Sequence, residues 1–244
     1  TEVNQFRGRA NAMFRVVPEW KAFFDVQEED ADGNVITGDE RRDVMICDYK
    51  YNWDKEIYNH VKVVNKNGKD WYPGKWRREW MPIGYKNPNV TDVNFCYLRY
   101  ADVVLMAAEA YNETGDTSEA WKLLNSVRKR AGAREITTEN YTELMKEKVY
   151  KLNFISDADD AGKFRTALYW ERGFELAFEG QRKYDLIRWG VIKEALTLFS
   201  SRSSVKSSYP AGDNFQKGKH ELFPIPLDEL QLNPMFESKN NPNY

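Results

Sequence analysis

Cysteine and histidine are scarce in this chain. Its 244 residues hold Cys47, Cys96, His60 and His220 and no others of either type. None stands in a CxxC or HExxH pattern, so neither a zinc site nor histidine-based acid–base chemistry has support. Two buried free thiols are expected; a disulfide between them is allowed but not demanded. A GxSxG nucleophile motif is also missing. Long apolar runs are absent, so no segment is long and apolar enough to span a bilayer as a helix. No signal peptide stands at the start, which is Thr1. Charge of one sign is lacking too: 36 Lys and Arg face 38 Asp and Glu, and a net charge of −2 argues against a nucleic-acid partner. Asp30, Asp32 and Asn34 hint at calcium, but their loop lacks the Gly and Glu of an EF-hand, and the 156–162 stretch also lacks the Glu. No metal or cofactor is therefore expected.

Aromatic residues, by contrast, are plentiful: 8 Trp, 14 Tyr and 13 Phe. The length suits one large domain or two small ones. Residues 4–17 place Phe6, Ala10, Met13, Phe14 and Val17 on one face, which predicts a helix ended by Pro18. Residues 26–43 read as an acidic surface loop. Residues 43–51 alternate like a strand, and Asn67-Gly68 suits a tight hairpin turn between 61–64 and 69–72. Five prolines and glycines between 73 and 88 keep that stretch irregular.

From Tyr97 the spacing turns helical. Tyr97, Ala101, Val104, Leu105, Ala108 and Tyr111 form a stripe that Gly115 stops. Asp116 and Glu119 then form a capping box for a second helix on Ala120, Leu123, Leu124, Val127 and Ala131. The short link makes an antiparallel helical hairpin, similar to one tetratricopeptide unit. A further helix is expected over 141–152, then a solvated linker through Asp157, Asp159 and Asp160. Residues 165–190 predict two helices broken at Gly180, and Val191 to Phe199 another, followed by a polar stretch at 200–208. The Pro-punctuated end reads as an extended arm held by Leu222, Phe223, Ile225 and Leu230.

Charges crowd the most apolar of these segments. Glu171, Glu175, Glu179, Arg182, Asp185 and Arg188 lie among bulky side chains. Buried charges persist only when paired, so these residues should form an ion-pair network, with Arg182 and Arg188 as forks for Glu175, Glu179 or Asp185. The catalytic alternative, a carboxylate pair from Glu171, Glu175 or Asp185, is disfavoured. Opposite charges neutralise one another here, whereas a catalytic acid needs its pKa raised.

The run ERGFELAFEGQRKYDLIRWG resembles the signature block of the SusD/RagB family. LRYADVVLMAAEA near Leu98 and PIPLDELQLNP near the end are similar to two more of its blocks, in the right order. The likeness covers about Arg41 to Tyr244 and is strong from Leu98 onward. It implies a mainly α, tetratricopeptide-like helical superhelix with loop-rich insertions and a few short strands. Residues 1–90 would carry the ligand surface and 91–244 the helical region. It further implies a non-catalytic, glycan-binding lipoprotein of the outer membrane and cell surface in Bacteroidetes-type bacteria. Such a protein works in polysaccharide utilisation and nutrient uptake, and delivers its glycan to a SusC-like TonB-dependent transporter. Family members are longer and begin with a lipidated cysteine, so this chain resembles their C-terminal part. The rival reading is a helical-repeat scaffold that binds peptides or a protein partner.

Flat rings stack on the C–H faces of sugars, while fixed polar groups meet the hydroxyls. Residues 51–85 interleave both kinds. The candidates there are Trp53, Trp71, Tyr72, Trp76 and Trp80, with Trp20 a contributor to the same face. Trp121, Trp170 and Trp189 lie on helix faces and read as core.

Overall fold

Proline opens the first helix rather than closing it. The structure, a computed structural model, describes residues 3–4, 8–9, 14–24, 27–29, 35–56, 59–64, 68–77, 80–82, 93–146, 149–202, 210–237 and 239–244. They fall into two compact units, Thr1–Arg182 and Lys183–Tyr244. In the first, strands β1 (Val3–Asn4) and β2 (Gly8–Arg9) pair antiparallel. The helix expected over 4–17 is thus contradicted where the chain is described, because residues 14–17 are also irregular. Pro18 stands at the start of α1 (Pro18–Phe23), where its fixed φ suits a helix and its missing N–H has no partner to lose. Strands β3 (Gln27–Glu29) and β4 (Val35–Thr37) form a second antiparallel pair where a loop was expected. The acidic run between them lies outside the described residues.

The 43–51 strand is also corrected. It begins inside a helix, α2 (Arg41–Met45), and continues as β5 (Ile46–Cys47) and β6 (Tyr49–Asp54). Arg41 and Met45 stand four apart and are both buried, so the same letters fit one helical turn. Strand β7 (Asn59–Val64) pairs with β6, setting Trp53 opposite His60, and β8 (Tyr72–Pro73) pairs with β5. The proposed 61–72 hairpin is therefore replaced by pairings with earlier strands. Asn67 lies outside the described residues. Gly68 opens a 3-10 turn, where a Cβ would come within 2.7 Å of Pro18 Cγ; close approach, not a left-handed turn, calls for glycine.

Mainly helical structure follows. Helix α3 (Tyr100–Glu113) starts three residues later than its apolar stripe suggests, and leaves Tyr97 outside and exposed. Gly115, at φ +94°, makes the turn into α4 (Thr117–Arg130), whose Glu119 N–H donates to the Asp116 carboxylate at 3.0 Å. This tetratricopeptide-like hairpin packs against α5 (Asp160–Glu175). Leu105, Ala108, Ala120, Leu124, Phe164 and Ala167 are wholly enclosed where the three helices meet.

The 141–152 helix is reduced to a 3-10 turn, Tyr141–Met145, closed by Lys146 at φ 47°. The linker through Asp159 is instead the start of α5: Asp159 accepts from Gly162 N at 2.7 Å. Helix α5 ends at Glu175, one turn before Gly180, because Phe178 already turns left-handed at φ 66°. Of the two cysteines, Cys47 is buried and Cys96 is exposed, which corrects the expectation of two buried thiols.

Helix α6 (Arg182–Arg188) starts at the last residue of the first unit, and Gly190 at φ +69° follows it. The second unit contains α7 (Ile192–Arg202) and α8 (Ala211–Asn214); the polar stretch between them is largely outside the described residues. Lys193 ties α7 to α8 through the carbonyls of Gly212 and Phe215. The terminal arm is not wholly extended: it contains α9 (Leu227–Leu232), and Leu222 and Phe223 are exposed rather than buried. Asn240 holds the arm by bonding Ile225 on both its N–H and its carbonyl. Removing the cap of the central helix should be felt globally: Asp159→Ala is expected to lower stability by about 1 kcal/mol in urea unfolding, and an unchanged midpoint would contradict the capping role.

Candidate functional site

Glu171 and Glu175 lie one turn apart on α5, and Glu179 follows four residues later on the turn beyond it. All are buried, and each is gripped from distant parts of the first unit. Glu171 takes Arg41 Nη1 at 2.5 Å and Arg128 Nη1 at 2.6 Å. Glu175 takes Arg130 at 2.5 Å, Arg99 at 3.0 Å and Arg41 at 3.3 Å. Glu179 takes Arg99 Nε at 2.7 Å and the ammonium of Lys75. Arg41 is completed by Asp39, and beside this set Arg172 pairs with Asp102 at 2.7 Å.

Of the two expected forks, Arg188 does meet one of its named acids, Asp185, while Arg182 is bonded to a backbone carbonyl. Arg182 donates to the Tyr169 carbonyl at 2.8 Å and its guanidinium lies 3.9 Å from that ring's centre. Arg188 pairs with Asp185 on its own helix at 3.0 Å. The sequence showed the acids but not their partners, which are up to 134 residues away.

Electrostatics favour the ionised forms of Glu171 and Glu179. Burial works to raise the Glu171 carboxyl, but the charges of Arg41 and Arg128 outweigh it and hold the group below the ordinary carboxylate range. Burial likewise works against Glu179, and is outweighed by the hydrogen bonds and charges of Arg99 and Lys75. Lys75 moves down: burial outweighs the help of Glu179, and Arg99 adds repulsion.

A cleft of about 390 Å³ opens over the cluster. Lys75, Arg99, Glu175 and Glu179 are among its polar lining, with the exposed Arg130 at its rim, and Trp76, Trp80 and Cys96 also line it. Trp76 is half-buried; its ring stacks on Phe95 at 5.3 Å, and Phe95 meets Tyr97 edge-on at 5.5 Å. Trp80 is 58% exposed, Phe95 55% and Tyr97 85%, so these rings face solvent.

Of the six aromatic candidates, Trp76 and Trp80 come together at this cleft. Trp20 stacks on Phe174 at 5.2 Å within a cluster that includes Phe24. Trp71 is half-buried beneath the Lys21 ammonium, 4.7 Å from its ring centre, and Tyr72 lies in β8. Trp53 is placed by its backbone in β6; its side chain lies outside the described set. Phe95 and Tyr97 were missed. Tyr97 fits the helical stripe of α3, and only the extended backbone at Arg99 (φ −120°, ψ 153°) breaks that period.

A sequence model of the SusD family matches residues 5–244. The chain belongs to the SusD family. Two SusD-like proteins of Formosa agariphila are similar to it: one is 37% identical over 142 residues, which is 58% of this chain and 23% of that one. The other is 32% identical over 214 residues, 79% of this chain and 38% of that one. A crystal structure of a SusD homolog from Bacteroides thetaiotaomicron aligns with TM-score 0.64 and 29% identity, over 85% of this chain and 41% of that one. A SusD superfamily structure from Bacteroides vulgatus, at 21% identity and TM-score 0.54 over 93% and 44%, shares the fold. The chain thus spans less than half the length of these SusD relatives.

Two outcomes test the buried cluster. Glu171→Gln should cost about 3–5 kcal/mol in denaturant unfolding, because it leaves Arg41 and Arg128 facing a neutral group; a loss under about 1 kcal/mol would contradict it. The folded values of Glu171 and Glu179 lie below the ordinary 4.5, so their stabilisation is complete above that pH. The urea midpoint should therefore decline as pH falls below about 4.5 and through the folded values. A midpoint that holds or rises on acidification would contradict the pairing.

Proposed function

We propose that this chain is part of a non-catalytic, surface-exposed lipoprotein that holds a glycan for a SusC-like TonB-dependent transporter of the outer membrane. The observation that carries this reading is the ledge of half-buried Trp76 with exposed Phe95 and Tyr97, beside a cleft that Trp76 and the exposed Trp80 line together with charged groups. Rings on irregular backbone offer flat faces to sugar C–H groups, and Arg130 at the rim is exposed and able to donate to hydroxyls. Trp53, Trp71, Tyr72 and Trp20 would extend the surface. Membership of the SusD family supports the same class of ligand and the same transporter partner. Membrane attachment in this reading is by a lipid anchor, as the family resemblance implies; no described helix is long and apolar enough to cross a bilayer.

A non-catalytic role agrees with the electrostatics. A glycosidase acid must hold a proton near neutral pH, whereas Glu171 and Glu179 are held ionised by cations. One observation favours the rival, a scaffold for a polypeptide: Tyr100, Val103, Met106 and Tyr111 expose an apolar strip along α3.

An immobilised panel of starch, xylan, pectin, alginate and chitin distinguishes the readings. Binding to at least one, without release of product, is expected. Trp76→Ala and Trp80→Ala should each weaken it by roughly threefold to tenfold, the worth of one ring contact. Unchanged affinity in both variants would reject this site; failure on every glycan with saturable capture of a peptide would favour the rival.

A further inference from the structure

The turn that closes α5 touches both segments that carry the aromatic ledge. The last helical carbonyl, of Glu175, has no partner within the helix's own ladder. It receives Lys75 Nζ at 2.6 Å and Arg99 Nη2 at 3.0 Å. The same two cations meet again on Glu179 Oε1, with Arg99 at 2.9 Å. Lys75 precedes Trp76, and Arg99 follows Phe95 by four residues and Tyr97 by two. Three residues past the helix, Phe178 turns left-handed at φ 66°, a conformation that a bulky side chain rarely adopts. Its carbonyl accepts the Trp76 indole N–H at 3.1 Å. Gln181 Nε2 then donates to the Tyr97 carbonyl at 3.2 Å. The two ring-bearing segments are far apart in sequence, yet both are fastened within the seven residues from Glu175 to Gln181.

We propose that this turn is a positioning device for the ligand ledge: Glu179 and Gln181, with Lys75 and Arg99, set Trp76 against Phe95 and Tyr97 so that the rings receive a sugar. The idea rests on the glycan reading for the identity of the ligand but not for the geometry. A salt bridge that held only the framework could lie anywhere along α5. Here the bonds run to residues within four positions of each ring, and one runs to the indole itself. A site on loops is loose unless surrounding bonds lock its side chains, and this turn supplies them. The positions 175–181 therefore do more than end a helix.

The test follows the Trp76 indole N–H in a proton–nitrogen NMR spectrum, assigned by its loss in Trp76→Phe. Glu179→Gln and the milder Gln181→Ala are compared with Asp102→Asn, which strikes the buried pair with Arg172 away from the ledge. Both turn variants are expected to move the indole resonance and to weaken binding to the tightest of starch, xylan, pectin, alginate and chitin by roughly threefold to tenfold. Asp102→Asn is expected to lower the melting temperature with the resonance in place. If Glu179→Gln fails to fold, Gln181→Ala decides. A fixed resonance in the turn variants overturns the proposal, as does a moved resonance with undiminished glycan affinity. Should the unaltered chain bind none of the five, the glycan reading falls, and the resonance alone decides whether the turn sets the ledge.

Discussion

Three carboxylates on one side of a single helix and its closing turn gather the first unit. Glu171, Glu175 and Glu179 are met by Arg41 from α2, Arg128 and Arg130 from α4, Arg99 from the approach to α3, and Lys75 from the segment after β8. Taking such groups out of water is costly, and the pairs return that cost only with close geometry and full hydrogen bonding. The cluster is therefore more informative as a device for specificity than as a source of stability. Any other packing of α2, α4 and the two loops would leave an ionised group buried alone, at a cost of several kcal/mol. Apolar contacts among Leu105, Leu124 and Phe164 would tolerate small slides of one helix on another; forked guanidinium bonds do not.

From that constraint the ligand surface follows. Loops carry binding residues well when a rigid element fixes them. Here the fixing element is the C-terminal end of α5, whose buried terminal carbonyl and following Glu179 suit cations both electrostatically and as acceptors. The result is a lining of paired charges beside a ledge of rings. The cluster and the ledge are two faces of one structure, the first buried and paired, the second largely exposed and apolar.

How much of this could be read from the letters differs by element. The helical hairpin was legible because Gly115 and Asp116 punctuate it and because Leu105, Ala108, Ala120 and Leu124 repeat at the helical period. Membership of the SusD family was legible from three ordered blocks. Segments with weak periodicity were not: Arg41 to Cys47 satisfies both a strand and a helical turn, and the long-range pairing of β5 with β8 decides between them. Pro18 was misread because proline fits both ends of the helix grammar. At the site, the acids were legible and their partners were not, since a guanidinium brought in from 130 residues away leaves no local pattern. Phe95 escaped notice because no neighbouring spacing marks it, and Tyr97 because its spacing matches a helix that begins after it.

The most direct measurement is native-state hydrogen exchange on the first unit. The Gly74 amide, bonded to the Met45 carbonyl at 2.6 Å, reports the loop that carries Lys75 and Trp76, while the amides of Lys163 and Leu176 report the two ends of α5. If buried charges bind these parts into one cooperative body, Gly74 and Leu176 open together, with the same free energy and the same dependence on low denaturant. Exchange at Gly74 that is orders of magnitude faster than at Leu176, and insensitive to denaturant, would show the loop opening by itself and would contradict the central claim.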